Sequence, residues 1–309
     1  MSSIKVFAPA TVANVVCGFD VLGFALHNPG DEVVMRKSNK PGVIIKSITG
    51  DNGRLPLDPE KNTVGVSVLN FLRHINSSEG VEIELTKNMP LGSGLGSSSA
   101  STVAGVFAVN ELFGTPLKRE ELLPFAMEGE RLACGSAHAD NVAPSLLGGF
   151  VLVRSYAPLD VVKLPTPHDF YCSIVHPHIE VHTKDARQIL PKQIFLKDAV
   201  TQWGNVAGLV AGLYQSDFEL IGRSLKDVIV EPVRSILIPG FMQVKEAAMQ
   251  AGAIGGGISG SGPSIFALSK GRDTAEKVTA AMKSVFDRIN IGSDRYISEV
   301  NAEGPKVIG

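Results

Sequence analysis

A short segment rich in glycine and serine constrains this chain more than any other. Residues 90–101 read PLGSGLGSSSAS, in which Gly92, Gly94 and Gly96 alternate with other residues before three serines run into the apolar stretch 102–113. Because glycine adopts positive φ at little steric cost, such a turn lets backbone N–H groups point into one concavity. The serines lie where a helix would begin, with free N–H groups and the positive end of its dipole. The segment predicts a phosphate site, and hence nucleotide binding.

The flanking sequence distinguishes this turn from a flexible linker. Glycine- and serine-rich stretches are commonly linkers, but residues 81–86 (VEIELT) alternate apolar and polar side chains as a half-buried strand does. The stretch after the serines has a helical pattern and ends at Phe113-Gly114, where glycine provides a helix stop. Strand, glycine turn and helix in this order predict a phosphate loop. The chain contains no Gly-Lys-Ser or Gly-Lys-Thr, so the loop lacks the lysine of the Walker motif.

Composition favours a globular protein from a reducing compartment. The 309 residues suffice for two domains, and 44% of them are hydrophobic. The 29 basic and 31 acidic side chains give a net charge of −2, so we expect no nucleic-acid partner. No signal-peptide pattern and no apolar run of transmembrane length occur, so we expect a cytoplasmic location and no membrane partner. The three cysteines, Cys17, Cys134 and Cys172, offer neither a disulfide framework nor a four-cysteine zinc site.

The order of predicted elements favours an α+β fold. Strand and helix patterns mix without strict alternation, beginning with a strand at 4–8 and a loop at 9–14. Residues 164–169 (LPTPHD) are rich in proline and polar side chains, which is typical of a domain boundary. The sequence therefore predicts an N-terminal domain over 1–165 and a C-terminal domain over 166–309.

A second glycine-rich loop is predicted at residues 255–263 (GGGISGSGP). Its spacing matches G-x-G-x-x-G, but Pro263 and a strand-like run at 264–268 follow instead of the helix that a dinucleotide site requires. We therefore interpret it as a backbone-lined turn that approaches a ligand closely. Two such loops in one chain predict a ligand held between two lobes.

Three of the seven histidines, His176, His178 and His182, lie within seven residues. Alternation in an extended chain would put them on one face, and imidazole is a common transition-metal ligand. The proline at 177 and the lack of partner cysteines favour the alternative, a strand end whose rings meet solvent or backbone.

The motifs together resemble the GHMP family of small-molecule kinases, and within it the homoserine kinases. The phosphate loop marks the wider family, and the blocks HADNVAP, EPVR and ISGSGPS narrow the resemblance. Six blocks carry it, at residues 9–23, 90–101, 138–144, 183–187, 231–234 and 258–264.

This resemblance implies a two-lobed α+β fold, with the phosphate loop in the N-terminal lobe and a ferredoxin-like C-terminal lobe. It implies transfer of the γ-phosphoryl group of ATP, with Mg²⁺, to the hydroxyl of homoserine in threonine biosynthesis, and it implies a homodimer. Two alternatives remain: a kinase for another alcohol, such as shikimate or mevalonate, and a non-catalytic metabolite sensor. The intact glycine loop, Ser98 and Glu130 favour an enzyme.

The resemblance also implies roles for individual residues. Asn62 would lie near the adenine, and Ser98 and Glu130 would coordinate Mg²⁺. An arginine clamp at Arg187 and Arg234 suits a substrate carboxylate. The loop residues expected to hold the ATP phosphates are Pro90, Leu91, Gly92, Ser93, Gly94, Leu95, Gly96, Ser97, Ser98, Ser99 and Ala100; those expected around homoserine are Asn14, Asp20, His138, Asn141, Thr183, Arg187, Arg234 and Gly260.

Proton transfer is where the resemblance raises a question. Several relatives have an aspartate base where Asn141 stands here, and an amide cannot take a proton at neutral pH. We therefore expect catalysis by in-line positioning and neutralisation of phosphate charge, with Asn141, Glu130 and Ser98 as the catalytic residues. Because neighbouring side chains point apart, Asp140 is expected to face away from the site.

Overall fold

Two β-sheets meet in this protein, and the glycine-rich segments lie where they meet. The computed structural model describes residues 3–134 and 138–309. Its strands are β1 (Ser3–Ala13), β2 (Leu22–Ser38), β3 (Val43–Thr49), β4 (Gly80–Thr86), β5 (Phe150–Tyr156), β6 (Leu159–Leu164), β7 (Phe170–Pro177), β8 (Gly255–Ile258), β9 (Ile265–Lys270), β10 (Ser293–Glu299) and β11 (Lys306–Val307). Its helices are α1 (Thr63–His74), α2 (Ser97–Leu112), α3 (Leu123–Cys134), α4 (Ala139–Leu147), α5 (Thr183–Gln188), α6 (Leu196–Gln215), α7 (Phe218–Ser224), α8 (Glu231–Arg234), α9 (Phe241–Gln250) and α10 (Arg272–Arg288).

The sheets divide the chain into two lobes. The first sheet has seven strands in the order β11-β1-β2-β4-β3, with β5 pairing β2 and β6 pairing β5. Only β3 and β4 run parallel within it. The second sheet has four antiparallel strands in the order β10-β7-β9-β8, and α9 and α10 pack against it. This mixture confirms the expected α+β class and agrees with a ferredoxin-like second lobe.

Helix α2 fixes the phosphate loop at the centre of the first lobe. Almost all of its residues are buried, because it packs against β1 and β2 on one side and against α1 and α3 on the other. A helix enclosed on all sides is apolar all round rather than amphipathic, which explains its Ala- and Val-rich sequence. The rigid helix leaves its N-terminus, and the loop before it, at the edge of the lobe.

Two expected loop segments are strands instead. Residues 9–13 continue β1, and a β-bulge between Pro9 and Thr11 lets the strand tolerate a proline that donates no hydrogen bond. Residues 255–258 form β8, although glycine is uncommon in strands. A Cβ on Gly256 would lie 2.2 Å from the carbonyl oxygen of Phe266, so the close approach of β9 requires glycine there.

The predicted domain boundary falls between the two sheets, because β6 ends at Leu164 and β7 begins at Phe170. The division at residue 165 stays a prediction. Residues beyond 300 return to the first sheet: the N–H of Asn301 donates to the carbonyl of Ala25 (2.9 Å), and β11 pairs with β1.

Composition also raised the questions of cysteine pairing and membrane spans. Cys17 and Cys172 are free and buried, and the side chain of Cys134 lies outside the described part of the chain. Across residues 3–134 and 138–309, no helix combines the length and the apolar character needed to cross a bilayer.

Candidate active site

A cavity of about 430 Å³ opens at the junction of the two lobes, bordered by the phosphate loop. Most of the residues singled out in the sequence line it: Asn14, Asp20, Leu91, Gly92, Ser93, Gly94, Gly96, Ser97, Ser98, Ser99, Glu130, His138, Asn141, Thr183, Arg187, Arg234 and Gly260. Pro90, Leu95, Ala100 and Asn62 do not line the cavity.

Asn62 instead caps α1. Its Oδ1 accepts a hydrogen bond from the N–H of Val64 (3.1 Å), and its Nδ2 donates to the carbonyl of Pro56 (2.8 Å). The neighbouring side chains Lys61 and Thr63 line the cavity. A role for Asn62 near an adenine stays a prediction.

The phosphate loop has the backbone conformation that its glycines predict. Gly92, Gly94 and Gly96 have φ of +70°, +78° and +66°. Gly96 precedes α2 and provides no side-chain cap, so the first-turn N–H groups of the helix remain for a ligand. The hydroxyls of Ser93 and Ser97 are buried and have no hydrogen-bond partner among the described residues. Buried polar groups normally find partners, so these atoms indicate a polar ligand in the loop.

The second glycine loop closes against the first. The Ser259 hydroxyl donates to the carbonyl of Gly94 (2.7 Å), and the N–H of Ser264 donates to that of Ser93 (3.3 Å). A Cβ on Gly94 would lie 2.4 Å from the Ser259 carbonyl oxygen, so only glycine permits this approach. Gly260 lines the cavity beside it. The two loops therefore form one wall of the cavity between the lobes. That this wall holds a ligand stays a prediction.

A strained loop presents Asp20 to the cavity. Asn14, Val15 and Val16 have φ of 71°, 41° and 61°, a left-handed conformation that is unfavourable for β-branched valine and is often found at functional sites. The Asn14 side chain holds the loop together, because Oδ1 accepts from the N–H of Asp20 (3.0 Å) and Nδ2 donates to the carbonyl of Gly260 (2.8 Å).

Asp20 and Arg187 form a bidentate ion pair. The guanidinium donates Nη1 to Oδ2 (2.9 Å) and Nη2 to Oδ1 (2.8 Å). The ring of His138 lies nearby, with Nδ1 3.9 Å from Asp20 Oδ1. Burial lowers the pKa of His138, so its imidazole is neutral at neutral pH. The sequence assigned Asp20 and Arg187 to opposite charges of the substrate; in the structure they neutralise each other.

Arg234 is a buried cation without an acidic partner. Only 3% of the residue is exposed. Its Nε donates to the carbonyl of Ala186 (3.0 Å), and its Nη1 donates to the carbonyl of Gly260 (3.1 Å). Its Cζ lies 5.0 Å from the centroid of the Phe19 ring. No acidic group within the described residues lies at salt-bridge distance from it. Burial lowers the pKa of Arg234 to about 10, which leaves it charged at neutral pH. Such a guanidinium at a cavity wall is a strong anion site.

Glu130 faces the loop from α3. The residue is buried, and its Oε1 has no hydrogen-bond partner in the described part of the chain. Burial raises the pKa of Glu130, while the hydroxyls of Ser98 and Ser99 and the charge of Lys87 act in the opposite direction. A buried carboxylate oxygen without a partner beside a phosphate loop is suited to a hard cation.

Asp140 borders the same cavity as Asn141, but only 3% of the residue is exposed, and its Oδ1 is buried without a hydrogen-bond partner among the described residues. The expectation that its side chain faces away from the site stays a prediction. Both residues belong to the first turn of α4, where successive side chains diverge by about 100°. Asn141 Oδ1 accepts from the Thr11 hydroxyl (2.8 Å). Burial, followed by the charges of Asp20 and Glu130, raises the pKa of Asp140 to about 7.

Lys87 is a site residue that sequence reasoning missed. It follows β4, lines the cavity and is buried beneath the first turn of α2. Its ammonium donates to Asp31, to the carbonyl of Ser97 (2.7 Å) and to the hydroxyl of Ser101 (2.6 Å). The loop thus lacks a Walker lysine but has a lysine at its base. The one sequence signal for Lys87 was its position between the predicted strand and the glycine turn. Nothing in the sequence indicates that it pairs with an aspartate 56 positions earlier.

The histidine cluster has separate partners. His176 Nδ1 lies 3.1 Å from the Ser264 hydroxyl, and His178 Nε2 lies 3.1 Å from Asp294. Nowhere in residues 3–134 and 138–309 do three or more metal-binding side chains form a group that could hold a metal ion.

Comparisons with known proteins agree with this geometry. The model for the GHMP kinase N-terminal domain matches residues 62–149, and that for the C-terminal domain matches residues 209–288. The chain is 54% identical to the homoserine kinase of Chlorobium phaeobacteroides over 100% of both chains, and 40% identical to that of Xylella fastidiosa over 98% of this chain and 94% of the relative.

Solved structures give the same result. The crystal structure of homoserine kinase from Cytophaga hutchinsonii superposes with a TM-score of 0.98 at 69% identity, covering 100% of this chain and 98% of that one. L. major mevalonate kinase, at 16% identity and a TM-score of 0.71, covers 96% of both chains and shares the fold. The chain therefore belongs to the GHMP kinase family, and within it to the homoserine kinases.

Proposed function

We propose that this protein transfers the γ-phosphoryl group of ATP to the hydroxyl of homoserine, giving O-phosphohomoserine and ADP. One observation carries the proposal: a single cavity joins a phosphate loop to Arg234, which is buried and has no acidic partner among the described residues, and to the Arg187–Asp20 ion pair. The phosphate loop suits a nucleoside triphosphate. The charged side chains of Arg234, Arg187 and Asp20 suit an amino acid, which carries a carboxylate and an ammonium group. Because ATP and an amino acid are polar metabolites, we include a cytoplasmic setting in the proposal.

The glycine loop would hold the phosphates through backbone amides. The first-turn N–H groups of α2 and the hydroxyls of Ser93 and Ser97 offer donors that lack protein partners among the described residues. The helix dipole adds a favourable potential for negative charge at this end. Lys87 lies behind the loop and supports its first turn through the Ser97 carbonyl.

The residues near the loop fit a magnesium ion. Mg²⁺ is bound in kinases by one or two protein oxygens together with phosphates and water, and Glu130 Oε1 is a buried carboxylate oxygen in need of a partner. Glu130 and Ser98 would hold the ion, as the resemblance implies. When bound, Mg²⁺ would neutralise phosphate charge that develops during transfer.

The other end of the cavity matches a zwitterion. Arg234 would bind the substrate carboxylate together with Arg187, because both guanidinium groups lie against Phe19. Asp20 accepts two bonds from Arg187 and retains lone pairs for the substrate ammonium. The substrate would then complete a network of alternating charges around Arg234, Arg187 and Asp20.

The transfer itself exchanges one P–O bond for another. The homoserine oxygen attacks the γ-phosphorus, the bond from the γ-phosphorus to the bridging oxygen of the β-phosphate breaks, and ADP departs. The O–H bond of homoserine also breaks, and its proton passes to water. Asn141 Oδ1 already accepts from Thr11, so its Nδ2 and one remaining lone pair serve the substrate hydroxyl. Asn141 would therefore orient the nucleophile, and its amide would take no proton.

A coupled assay of ADP release over a panel of alcohols tests the proposal. We expect turnover with homoserine and none with shikimate or mevalonate, and phosphorus NMR should show a phosphate monoester of homoserine. Preference for another alcohol would move the protein to a different substrate class. Homoserine binding without ADP release would indicate a sensor rather than an enzyme.

A further inference from the structure

Tyr156, at the end of β5, belongs to no sequence motif and does not line the cavity. Its hydroxyl donates to the carbonyl of Asp20 (3.0 Å) and accepts from the N–H of Ala139 (3.2 Å). A phenol has one proton to donate and lone pairs with which to accept, so one hydroxyl can satisfy both backbone groups. The residue is 42% exposed, and an exposed tyrosine commonly turns its polar tip to water. Here the hydroxyl instead joins two segments of the substrate site.

The first of these contacts lies at the start of α4. Ala139 is the first residue of this helix, and His138 before it provides no side-chain cap. Because the first N–H groups of a helix have no partner within it, the Tyr156 hydroxyl acts as a cap from a distant strand. Two residues further on, the same turn carries Asn141, which borders the cavity. The hydroxyl therefore fixes the helix end that would orient the nucleophile.

The second contact holds a strained residue. Asp20 has a φ of +60°, a left-handed conformation that is uncommon for residues other than glycine. Its N–H donates to Asn14 Oδ1 (3.0 Å), and its carbonyl accepts from the Tyr156 hydroxyl (3.0 Å). Such a conformation persists only where the surrounding structure fixes it. Because the backbone conformation sets the direction of the side chain, the Tyr156 hydroxyl helps to aim the Asp20 carboxylate.

Strand β5 gives Tyr156 a fixed position beside both segments. The strand pairs with the start of β2, and the N–H of Val153 donates to the carbonyl of Val21, the residue after Asp20 (2.7 Å). Helix α4 packs closely against the same stretch of β2, because a Cβ on Gly23 would lie 1.9 Å from a backbone carbonyl oxygen of the helix. The Tyr156 hydroxyl then joins the start of this helix to the loop that precedes β2.

We propose that Tyr156 is a positioning residue that sets the length of the hydroxy amino acid the site accepts, because its hydroxyl fixes the Asp20 carboxylate relative to the first turn of α4. The inference rests on the proposed function, in which Asp20 binds the substrate ammonium and Asn141 orients the substrate hydroxyl. The carbon chain between those two groups must therefore match the separation of the two protein segments.

Bond lengths give the scale of this selection. Carbon–carbon bonds of about 1.5 Å mean that one methylene more or less moves the substrate hydroxyl by about 1 Å. A misplacement of about 1 Å can lower the rate of transfer about a hundredfold. A site whose two segments are joined by the Tyr156 hydroxyl therefore distinguishes homoserine from its shorter and longer homologues, whereas segments that move independently would adapt to each of them.

Tyr156→Phe tests the proposal, because it keeps the ring and removes only the hydroxyl. ADP release gives kcat/KM for homoserine, for serine, which is one methylene shorter, and for 2-amino-5-hydroxypentanoate, which is one methylene longer. We expect kcat/KM for homoserine to fall about tenfold or more, and the preference for homoserine over the longer homologue to fall at least about fivefold. KM for ATP should stay within about twofold, since both bonds of the Tyr156 hydroxyl lie outside the phosphate loop.

Tyr214→Phe is the matched control, because Tyr214 is 61% exposed on α6 and does not line the cavity. Its kinetics with all three amino acids should equal those of the wild type. Hydrogen exchange over residues 139–141 should quicken in Tyr156→Phe alone, because the N–H of Ala139 loses its acceptor.

The outcomes separate a positioning role from a general structural one. A structural role would lower kcat/KM for the three amino acids by one common factor and leave the preference for homoserine unchanged, which would overturn the proposal. Unchanged kcat/KM for homoserine, or unchanged hydrogen exchange, in Tyr156→Phe would overturn it as well. A wild type that does not phosphorylate homoserine would refute the proposed function itself, and this inference with it.

Discussion

Replacing Arg234 by leucine tests how this cavity recognises an amino acid. The guanidinium is buried and donates hydrogen bonds to backbone carbonyls. No acidic group among the described residues lies within salt-bridge distance of it. Its burial is therefore offset only when an anion arrives. Arg234→Leu should leave nucleotide binding intact and weaken homoserine recognition.

The structure sets the size of this effect. Truncating one partner of a desolvated charge pair costs about 2–5 kcal/mol, which corresponds to a fall in kcat/KM for homoserine of roughly 30-fold to a few thousand-fold. Stability should change little, because two effects oppose each other. An apolar side chain removes an uncompensated buried charge, whereas the Ala186 carbonyl loses its donor at a cost of about 1–3 kcal/mol. The Gly260 carbonyl keeps its bond from Asn14.

Steady-state kinetics with each substrate varied in turn provides the measurement. KM for homoserine should rise far more than KM for ATP, and thermal unfolding should show a shift of a few degrees at most. Arg154→Leu is the matched control, because Arg154 is exposed and pairs with Asp160 on the surface. An equal rise in both KM values, or a rise in KM for ATP alone, would remove Arg234 from the carboxylate site.

Four further predictions concern the loop, the carboxylates and the buried lysine. Asp140→Asn should lower turnover less than Asn141→Ala, and an equal or reversed order would refute catalysis without a side-chain base. The pKa of Asp140 is raised from 3.8 to about 7, so ionisation of this carboxyl destabilises the folded state increasingly as pH rises from 3.8 to 7. Asp140→Asn should therefore raise the free energy of unfolding by up to about 4 kcal/mol at pH 8 and by little at pH 4. A Cβ at Gly96 would lie 2.9 Å from the Asn141 amide oxygen, whereas a Cβ at Gly92 would meet nothing within 4 Å, and both glycines have positive φ. Gly96→Ala should therefore lower kcat/KM at least about a hundredfold, whereas Gly92→Ala should cost only backbone strain, roughly 1–2 kcal/mol in stability. Equal losses of activity would contradict this packing argument. Lys87→Met leaves a buried carboxylate unpaired and should cost about 3–5 kcal/mol in urea unfolding; a loss below about 1 kcal/mol would show that the pair matters little.

Motifs formed by residues close together in the sequence could be predicted, whereas contacts between residues far apart in the sequence could not. The phosphate loop could be predicted because glycine spacing, the strand before it and the helix after it all lie within about 35 residues. Lys87 could not, because its partner Asp31 comes from another strand and is brought near by the β2–β4 pairing.

The same limit explains the charges of the substrate end. The sequence marked Asp20, Arg187 and Arg234 as charged groups of the right kind for an amino acid. The sequence did not indicate that Asp20 and Arg187 pair, or that Arg234 has no acidic partner within the described part of the chain. Both depend on how α5 and α8 approach the strained loop at 14–20. Burial likewise separates Arg234 from the exposed arginines, and burial is set by the whole fold.

The return of residues 301–308 to the first sheet has a consequence for how the protein is made. Strands β1 and β2 are translated before β11 and before Ile308 and Asn301, whose N–H groups donate to the carbonyls of Lys5 and Ala25. At roughly 5–20 residues per second, about 15–60 s separate them. During that interval the first lobe has an open sheet edge, and such edges recruit other strands. The nascent chain should therefore be most prone to aggregate after the first lobe has emerged and before residue 301 has followed.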